Sequence, residues 1–493
     1  MGHKEENEMQ SLKVTIMKYV LKWVVDWALV DPDTRLMKIM NLIGRISYTK
    51  KIDGGQNRRN LFMNVFSNDD TLMYKWLVRF MKEMDPNVTH KFLQSVGIHA
   101  SFVGNKKKWE VVKKEKCNVP AAILMDPTSQ CNIQCIGCWA AEYDQTDQME
   151  YELLDRIIRE GKEIGIHFYL YTGGEPTIRK ADLMKLAIKH PDCWFMSFTN
   201  GTLLDEKFAK RCAELGNLCF AISVEGYEKE TDFRRGKGSY KKMIKGMDNL
   251  KKYGVPFGFA CCYHNKNVYT VGSEEFIDFL IDKGAIFGWF FTYMPIGKNA
   301  VVDLMAEPEQ REWMFHQIRH IRKDRKLLVI DFWNDGDYVR GCIAGGKNYL
   351  HINARGDVEP CAFIHYATHN IRDHSLLDCL KSPLFKQYQW NQPFNVNHLR
   401  PCPLLDNPDA LENMVISTGA YSTQMKDHED VRDLCNKCRP MAKKWAETAN
   451  HLWQNDPQVI NYKNIQRIKQ EMAEKAEKKI QEKKKKAVKT ATH

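Results

Sequence analysis

The sequence predicts an α/β protein with a partial (β/α)6 barrel of the TIM type, a helical N-terminal extension and a small cysteine-rich C-terminal domain. Three observations predict it. Strand-like and helix-like segments alternate from residue 121 to residue 293. A cysteine-rich loop at 131–138 follows the first strand-like segment, and further cysteines are concentrated after residue 340. Repeated βα units form a parallel sheet whose strand C-termini carry the functional loops.

The composition is that of a folded protein with two or three domains. The chain has 493 residues, of which 43% are hydrophobic and 27% charged, and this balance excludes a disordered chain. The 15 cysteines are odd in number and are not spaced as an extracellular disulfide framework. No secretory signal is recognised in the mixed-charge segment Met1 to Glu8. We therefore expect a cytoplasmic protein whose cysteines serve metal.

The net charge of +11 is concentrated in the tail. From Lys463 onwards eleven Lys or Arg and four Glu give a net charge of +7, so the remaining body is close to neutral. This argues against a nucleic-acid groove. Within the predicted tail, 456–493, residues 471–486 carry Glu and Lys at helical spacing. A solvated helix is the default interpretation, and contact with anionic lipid headgroups is the alternative.

Residues 1–115 are predicted to form the helical extension. In 11–30 a narrow polar stripe that includes Lys18, Lys22 and Asp26 lies opposite a broad apolar face. A spanning helix needs about 20 apolar residues with few charges, so these charges exclude one. The broad face is predicted either to dock on the protein's own body or to lie on a membrane surface. A second amphipathic stretch runs from 72 to 84.

Residues 116–325 are predicted to form the barrel. A lysine-rich segment at 106–116 marks its start, and the apolar strand at 121–125 delivers the cysteine loop. The later strands are predicted at 166–171, 194–199, 218–224, 257–263 and 286–293, with helices at 153–164, 181–189, 206–215, 240–253 and 275–283.

The loop is a C-x3-C-x2-C motif formed by Cys131, Cys135 and Cys138. Three thiols at this spacing can turn inward and supply three of the four ligands that an iron–sulfur cluster normally takes. The next cysteine, Cys193, follows a helix-like and a strand-like segment, so one iron is expected to stay open for a cofactor. The alternatives are three unrelated buried thiols or zinc, which prefers paired C-x2-C units.

Three later strands end in polar or glycine-rich motifs. Gly173-Gly174-Glu175-Pro176 ends the second strand; its glycines let the backbone approach a ligand closely, and the Glu175 carboxylate can accept from an ammonium group. Asn200 lies in the motif that ends the third strand, and Ser223 and Glu225 lie in the motif that ends the fourth.

Over residues 120–300 these motifs together resemble the radical S-adenosylmethionine (SAM) enzymes. The resemblance implies that the three cysteines hold a [4Fe-4S] cluster with an open iron, and that residues 173–176 meet the methionine amino group of SAM. It places Asn200 in the SAM site and Ser223 and Glu225 near the ribose. Arg235 lies in a segment similar to the Arg-Gly segment of the branch with extra clusters. That family usually has an aromatic residue before the third cysteine, where this chain has Gly137.

The chemistry implied by the resemblance requires a low potential and a dry cavity. Reductive cleavage of SAM needs an electron at about −400 mV or below, which thiolate-bound clusters reach, and yields a 5′-deoxyadenosyl radical that abstracts hydrogen from the substrate. The aromatic run from Ile286 to Met294 offers an apolar lining at the last strand end. A buried core strand would have the same composition.

A second cysteine set lies in the predicted C-terminal domain, 326–455. Residues 341–361 resemble the opening half of the SPASM domain, the auxiliary-cluster module of many radical SAM maturases, although its central run of four closely spaced cysteines is absent. The resemblance implies an auxiliary [4Fe-4S] cluster with one spare thiol, or two incompletely ligated sites. Zinc is the alternative, because C-x2-C with two distant cysteines also satisfies tetrahedral zinc. The candidate ligands are Cys342, Cys361, Cys402, Cys435 and Cys438.

The other cysteines and the nearby histidines receive a structural interpretation. Histidines 351, 365 and 398 are predicted to form hydrogen bonds rather than to bind metal. The remaining cysteines are predicted to be buried small hydrophobes, and they are Cys117, Cys193, Cys212, Cys219, Cys261, Cys262 and Cys379.

We therefore predict an anaerobic radical SAM oxidoreductase. A lipid substrate is favoured by the amphipathic N-terminus and the basic tail, and a peptide or protein by the SPASM resemblance; a small metabolite would leave both extensions unexplained. The rival hypothesis is a non-enzymatic iron–sulfur electron carrier or scaffold. Expected partners are a low-potential electron donor such as a flavodoxin or ferredoxin, and anionic lipid on the inner face of the membrane. No nucleic acid is expected.

Overall fold

The computed structural model describes residues 3–39, 71–140, 144–297, 300–426, 428–464 and residue 467. The basic segment predicted at 471–486 lies outside them. The extension consists of α1 (His3–Val30), α2 (Leu72–Glu83), α3 (Pro86–Phe92), a π-helix (Leu93–Gly104) and α4 (Asn105–Glu115); residues 32–39 are also helical. No helix among the described residues is long and apolar enough to span a membrane.

A single sheet of nine strands organises the described part of the body, in the order β7-β6-β5-β4-β3-β2-β1-β8-β9. Its strands are β1 (Ala122–Thr128), β2 (Phe168–Gly173), β3 (Trp194–Thr199), β4 (Leu218–Val224), β5 (Phe257–Tyr263), β6 (Phe287–Thr292), β7 (Leu328–Asp331), β8 (Tyr349–Ile352) and β9 (Val358–Glu359). All neighbours from β7 to β8 are parallel, and β9 runs antiparallel to β8. The predicted partial barrel is confirmed, with β1 to β6 as its predicted strands.

Helices connect the strands and cover the outer face of the sheet. They are α5 (Tyr151–Glu163), α6 (Lys180–Lys189), α7 (Glu206–Leu215), α8 (Glu228–Arg235), α9 (Ser239–Lys252), α10 (Val268–Val271), α11 (Glu274–Asp282) and α12 (Pro308–Asp324). In α7 the side chain of Asp205 accepts from the backbone N–H of Phe208 as an N-cap, and the helix ends at Gly216 with φ of 80°. Its buried face includes Phe208 and Cys212, which joins the helix to the outer core.

The N-terminal extension covers the inner face of the sheet at the strand N-termini. The indole N–H of Trp76 on α2 donates to the carbonyl of Ile286 at 2.7 Å. One turn later, Arg79 donates to the carbonyls of Ala285 at 3.0 Å and Lys326 at 3.1 Å. These carbonyls come just before β6 and β7, so α2 closes the end of the barrel opposite the cysteine loop.

Helix α1 has two apolar faces. Val25 and Ala28 are buried, so one face docks on the body, but it is not the broad apolar face that the sequence predicts, which contains Ile16, Val20 and Trp23. Ile16, Tyr19 and Trp23 are exposed, Trp23 by 70%. Docking on the body therefore leaves a second apolar surface facing solvent.

The predicted C-terminal domain meets the barrel where β8 joins the edge of the sheet beside β1, with Leu124 paired to His351. This pairing brings the second cysteine set next to the strand that delivers the first. The other elements are α13 (Gly336–Val339), β10 (Tyr366–Ala367), α14 (Leu376–Leu380), α15 (Pro383–Asn391), α16 (Pro408–Thr418), β11 (Tyr421–Ser422) and α17 (Val431–Asn455).

Candidate active site

A cavity of about 260 Å³ lies at the C-terminal ends of the strands. Most of the predicted site residues line it: Cys131, Cys135, Cys138, Gly173, Gly174, Glu175, Asn200, Ser223 and Arg235. Pro176 and Glu225 are not among its lining residues; Pro176 begins a short 3₁₀ helix behind the glycine turn. The structure thus brings the strand-end motifs together around the three thiols.

Two arginines at the end of α8 hold the cysteine loop. Arg234 donates to the carbonyls of Ile136 at 3.2 Å and Gly137 at 3.4 Å. Nη1 of Arg235 lies 3.8 Å from Sγ of Cys135. Both guanidinium groups also donate to Oε1 of the fully buried Glu225, at 2.6 Å. The Arg-Gly segment therefore positions the loop and places a cation beside one thiol.

Gly137 packs against an aromatic ring from another strand. Its φ is +62°, and a Cβ at this position would lie 2.6 Å from a ring carbon of Tyr293. A side chain is thus excluded both by the left-handed backbone and by the ring. Tyr293, which follows β6, supplies an aromatic side chain next to the third cysteine, where the family usually has one from the loop itself.

The Gly173–Pro176 turn packs on the cysteine loop itself. A Cβ on Gly174 would lie 2.0 Å from the carbonyl oxygen of Gln130, and the N–H of Glu175 donates to that carbonyl at 2.7 Å. The glycines are therefore required by contact between two segments of this chain, in addition to the ligand approach expected from the sequence.

The Glu175 carboxylate joins two strand ends. Oε1 accepts from the N–H of Thr177 at 2.9 Å and from the hydroxyl of Thr199 at 2.7 Å, and Oε2 accepts from the N–H of Asn200 at 2.7 Å. Burial raises the pKa of Glu175, although these hydrogen bonds oppose the shift. Oε2 keeps acceptor capacity beside its single bond, so the carboxylate can also receive an ammonium group.

Asn200 and Ser223 complete the polar side of the cavity, and Glu225 lies outside its lining. The amide of Asn200 donates to Oδ1 of Asn132 in the cysteine loop at 2.8 Å. Oε2 of Glu225 is buried and has no hydrogen-bond partner among the described residues. Ser223 precedes Glu225 by two residues on the same side of β4 and lines the cavity.

The other side of the cavity is aromatic. Trp289 and Phe291 from β6 face it, while the intervening Phe290 is buried in the outer core. The run 286–294 is therefore both a cavity lining and a core strand, on alternate residues. Phe332 stacks on Phe291 with centroids 4.6 Å apart, and Phe363 lies 6.0 Å from the same ring. Phe332 and Phe363 were not predicted to line the cavity, because nothing in the local sequence relates them to β6.

The second cysteine set surrounds a smaller cavity beside the first. Cys342, Cys361 and Cys402 line this space of about 40 Å³. Backbone N–H groups donate to two of the thiols: Ala344 to Cys342 at 3.4 Å and Leu405 to Cys402 at 3.3 Å. Such bonds to sulfur are a feature of cluster sites.

Cys435 and Cys438, three residues apart on α17, are fully buried in the same apolar cluster but do not line that cavity. The thiolates of Cys342, Cys361, Cys402 and Cys435 all help to raise the pKa of Tyr388, after the larger effect of burial. Four of the five thiols therefore lie within electrostatic reach of one phenol.

The two cavities share a wall. Met294, Phe332, Ile343, Tyr349 and Phe363 line both of them. The hydroxyl of Tyr349 lies 2.7 Å from Sγ of Cys361. The aromatic part of the first cavity is thus enclosed between the two cysteine sets.

The remaining cysteines were predicted to be buried small hydrophobes, and this holds with one exception. Six of the seven are buried. Cys262 instead is half-buried and lines the first cavity, because it follows the inward-facing Ala260 by two residues on β5. The prediction that Cys262 is a buried hydrophobe is therefore wrong in detail.

Comparison with known proteins agrees with this geometry. Residues 125–277 match the family model of the radical SAM superfamily, and residues 342–403 match the SPASM model, an iron–sulfur cluster-binding domain. An uncharacterized protein of Methanocaldococcus jannaschii is 31% identical over 252 residues, which cover 48% of this chain and 84% of that protein. The chain belongs to the radical SAM superfamily. It is a radical SAM enzyme with an auxiliary iron–sulfur domain, and its cofactors are [4Fe-4S] clusters and SAM.

Two further similarities show how much of a relative this chain spans and which fold it shares. The chain is 26% identical over 230 residues to the Fe-coproporphyrin III synthase of Methanosarcina barkeri, which covers 44% of this chain and 57% of that enzyme. It thus spans little more than half of that relative. The crystal structure of SuiB from Streptococcus suis superposes with a TM-score of 0.50 at 16% identity, over 62% of this chain and 84% of SuiB. At that identity the likeness shows the fold alone.

Proposed function

We propose that this enzyme abstracts a hydrogen atom from an apolar hydrocarbon group, with a lipid chain as the favoured substrate. The observation that carries the proposal is the aromatic wall between the two cysteine sets. Arg234 and Arg235 are the cationic side chains among the described residues that line the cavity, and both are paired with Glu225. The described part of the lining therefore offers apolar contact on the substrate side and no unpaired cation.

In this proposal Cys131, Cys135 and Cys138 hold the cluster that binds SAM. The residues fit this role, because three half-buried thiols and the Arg235 guanidinium meet at one cavity. That guanidinium also donates to Glu225, whose second carboxylate oxygen is buried without a partner among the described residues. When bound, the cluster supplies the electron that cleaves SAM and so provides the hydrogen-abstracting species. Glu175 would receive the amino group of SAM, while Ser223 and Glu225 would bind the ribose.

The auxiliary cluster would be held by four of Cys342, Cys361, Cys402, Cys435 and Cys438. Its proposed role is to accept or deliver an electron across the shared wall, where Tyr349 touches Cys361. A low-potential donor such as a flavodoxin or ferredoxin would supply the electrons from outside.

We also propose that the exposed face of α1 rests on anionic membrane, assisted by the basic tail. Ile16, Tyr19 and Trp23 supply the apolar contact, and two weak signals together give reversible binding. This position would keep the enzyme close to a lipid substrate.

Two other substrate classes are weighed against the lipid. A porphyrin, suggested by the similarity to Fe-coproporphyrin III synthase, would stack on the aromatic wall, but its carboxylates would need cations that the described lining does not offer. A peptide is the second candidate, because the SPASM-type domain is typical of maturases and an aromatic or aliphatic side chain would fit the same wall.

The decisive experiment is isotope transfer in the anaerobically reconstituted enzyme. Reduced enzyme and SAM are incubated with a lipid extract whose acyl or isoprenoid chains are deuterated, and 5′-deoxyadenosine is analysed by mass spectrometry. Deuterium in that product supports the lipid. Deuterium only from a labelled peptide extract would support the maturase instead. The variant Phe363→Ala, which opens the wall, should lower isotope transfer more than total SAM cleavage.

A further inference from the structure

Three side chains of the types that bind metals lie close together at the end of the sheet opposite the cysteines; the two histidines are buried and Asp192 is half-buried. His167 precedes β2, Asp192 precedes β3, and His99 lies in the π-helix of the extension. A ring nitrogen of each histidine and a carboxylate oxygen of Asp192 all lie within 4.8 Å of one another. The proposed cofactor sites use none of these residues.

The spacing is close to that of a metal's ligand shell. A tetrahedral zinc ion with bonds of about 2.0–2.1 Å to nitrogen and oxygen holds its ligand atoms about 3.4 Å apart. Nδ1 of His167 lies 3.6 Å from Oδ2 of Asp192 and 3.2 Å from the backbone carbonyl oxygen of the same residue, a contact that the metal would replace. The ligand atoms lie within 4.8 Å of one another, so each pair would have to approach by at most about 1.4 Å to reach the zinc spacing.

Both histidines are buried, and one ring nitrogen of His99 has no partner in the part of the chain that the structure describes. His99 is 9% exposed, and its Nε2 is buried without a hydrogen-bond partner among the described residues. Burial lowers the pKa of His99 to about 4 and also lowers that of His167. Neutral imidazole is the form that binds a metal, and burial favours that form in both rings.

Asp192 supplies the negative charge. Lys162 donates to its Oδ1 at 2.9 Å, which leaves Oδ2 for another partner. Lys18 of α1 is close enough to contribute to the lowered pKa of His99. With two ammonium groups nearby, a cation needs a carboxylate among its ligands, and Asp192 provides one.

We propose that His99, His167 and Asp192 bind one Zn²⁺ ion, with water in the fourth position. Two imidazoles and a carboxylate are a set that zinc accepts. The ion would fasten the π-helix, which belongs to the extension, to the start of β2 and β3. A π-helical turn is rare and frequently marks a functional site; here it carries the only ligand that comes from outside the barrel.

The test uses the anaerobically reconstituted holoprotein, whose cluster thiols are occupied by iron, titrated with ZnSO₄. X-ray absorption at the zinc edge should show one zinc per chain with nitrogen and oxygen at about 2.0–2.1 Å, in contrast to about 2.3 Å for sulfur. Asp192→Asn and His99→Phe should each weaken zinc binding at least tenfold. His451→Phe, on the exposed face of α17, should bind as the wild type does.

The wild-type spectrum decides the question even if a variant fails to fold. Zinc that shows only sulfur neighbours, or no retained zinc at one equivalent, would overturn the proposal. Unchanged binding in a folded Asp192→Asn protein would do so as well. If zinc raises the melting temperature of the wild type but not that of the Asp192→Asn variant, this would support an ion that fastens the π-helix to the sheet.

Discussion

Nε2 of His351 on β8 lies 2.9 Å from Oδ1 of Asp126 on β1. Nδ1 of the same ring lies 2.6 Å from Oε2 of Glu359, and all three side chains are fully buried. Burial alone would lower the pKa of His351, but the two carboxylates raise it to about 10. The imidazole is therefore a cation at neutral pH, and it ties the C-terminal domain to the strand that delivers the cysteine loop.

Replacing this cation is expected to destabilise the junction. His351→Gln leaves two buried carboxylates without their charge partner, which should cost about 3–5 kcal/mol of unfolding free energy. Urea unfolding of the variant beside His316→Gln, an exposed histidine of α12, measures the difference. Equal midpoints for the two variants would contradict an ion-paired His351.

The same group predicts a pH dependence. The folded pKa of about 10 lies above the ordinary value of 6.5, so the contribution is fully present below pH 6.5 and is lost as the pH rises through 10. The stability gap between wild type and His351→Gln should therefore shrink between pH 7 and pH 10. A gap that stays constant or widens over that range would show that the ring is neutral.

Gly137 provides a test of the contact with Tyr293. Gly137→Ala meets both a positive φ and the ring, whereas Gly419→Ala meets a φ of +63° with open space around the new Cβ. We expect Gly419→Ala to cost about 1 kcal/mol, and Gly137→Ala to cost more and to lower the rate of 5′-deoxyadenosine formation. If both variants cleave SAM at the wild-type rate, Tyr293 does not constrain the cysteine loop.

Iron counting separates the two cysteine sets. The triple variant Cys131→Ala, Cys135→Ala, Cys138→Ala should form no 5′-deoxyadenosine, because the open iron is lost. It should retain about four irons, as expected for one remaining cubane cluster. Zinc without iron in the purified variant would favour the alternative metal for the second set, and 5′-deoxyadenosine above background would refute the first assignment.

The exposed face of α1 predicts membrane binding. Each large side chain withdrawn from lipid contact costs about 1.5–3 kcal/mol, so Tyr19→Ser with Trp23→Ser should lower the liposome-bound fraction roughly tenfold or more. Trp390→Ser is a matched control, since Trp390 and Trp23 are both 70% exposed. Sedimentation with anionic liposomes at low and high salt measures it. Full recovery of wild type in the supernatant at low salt would remove the membrane from the proposal.

The features that could be predicted from the sequence are those that depend on residues close together in the chain. The six strands follow from apolar runs of the right length, and the polar half of the cavity follows from motifs that each end a strand. Because parallel strands end at one edge, motifs far apart in the chain could be placed together without knowing any long-range contact.

The aromatic half of the cavity could not be predicted in this way. Phe332 and Phe363 reach the cavity because β7 and β8 join opposite edges of the sheet, and no local pattern fixes that pairing. The same is true of Tyr293 beside Gly137 and of α2 across the strand N-termini. These contacts depend on which surfaces meet after folding, whereas periodicity reports only which surfaces are apolar.

The closed end of the barrel gives the cavity a fixed depth. Leu124, Leu170 and Ala260 line the cavity and also pack with Trp76 and Phe80 of α2, so the extension supports the floor from below. Whatever part of a substrate extends past the reacting carbon must fit above that floor. The extension would therefore set how deeply a substrate chain can enter the cavity. Replacing Trp76 or Phe80 with a smaller side chain should change which carbon along the chain loses hydrogen, while the chemistry at the cysteines stays the same.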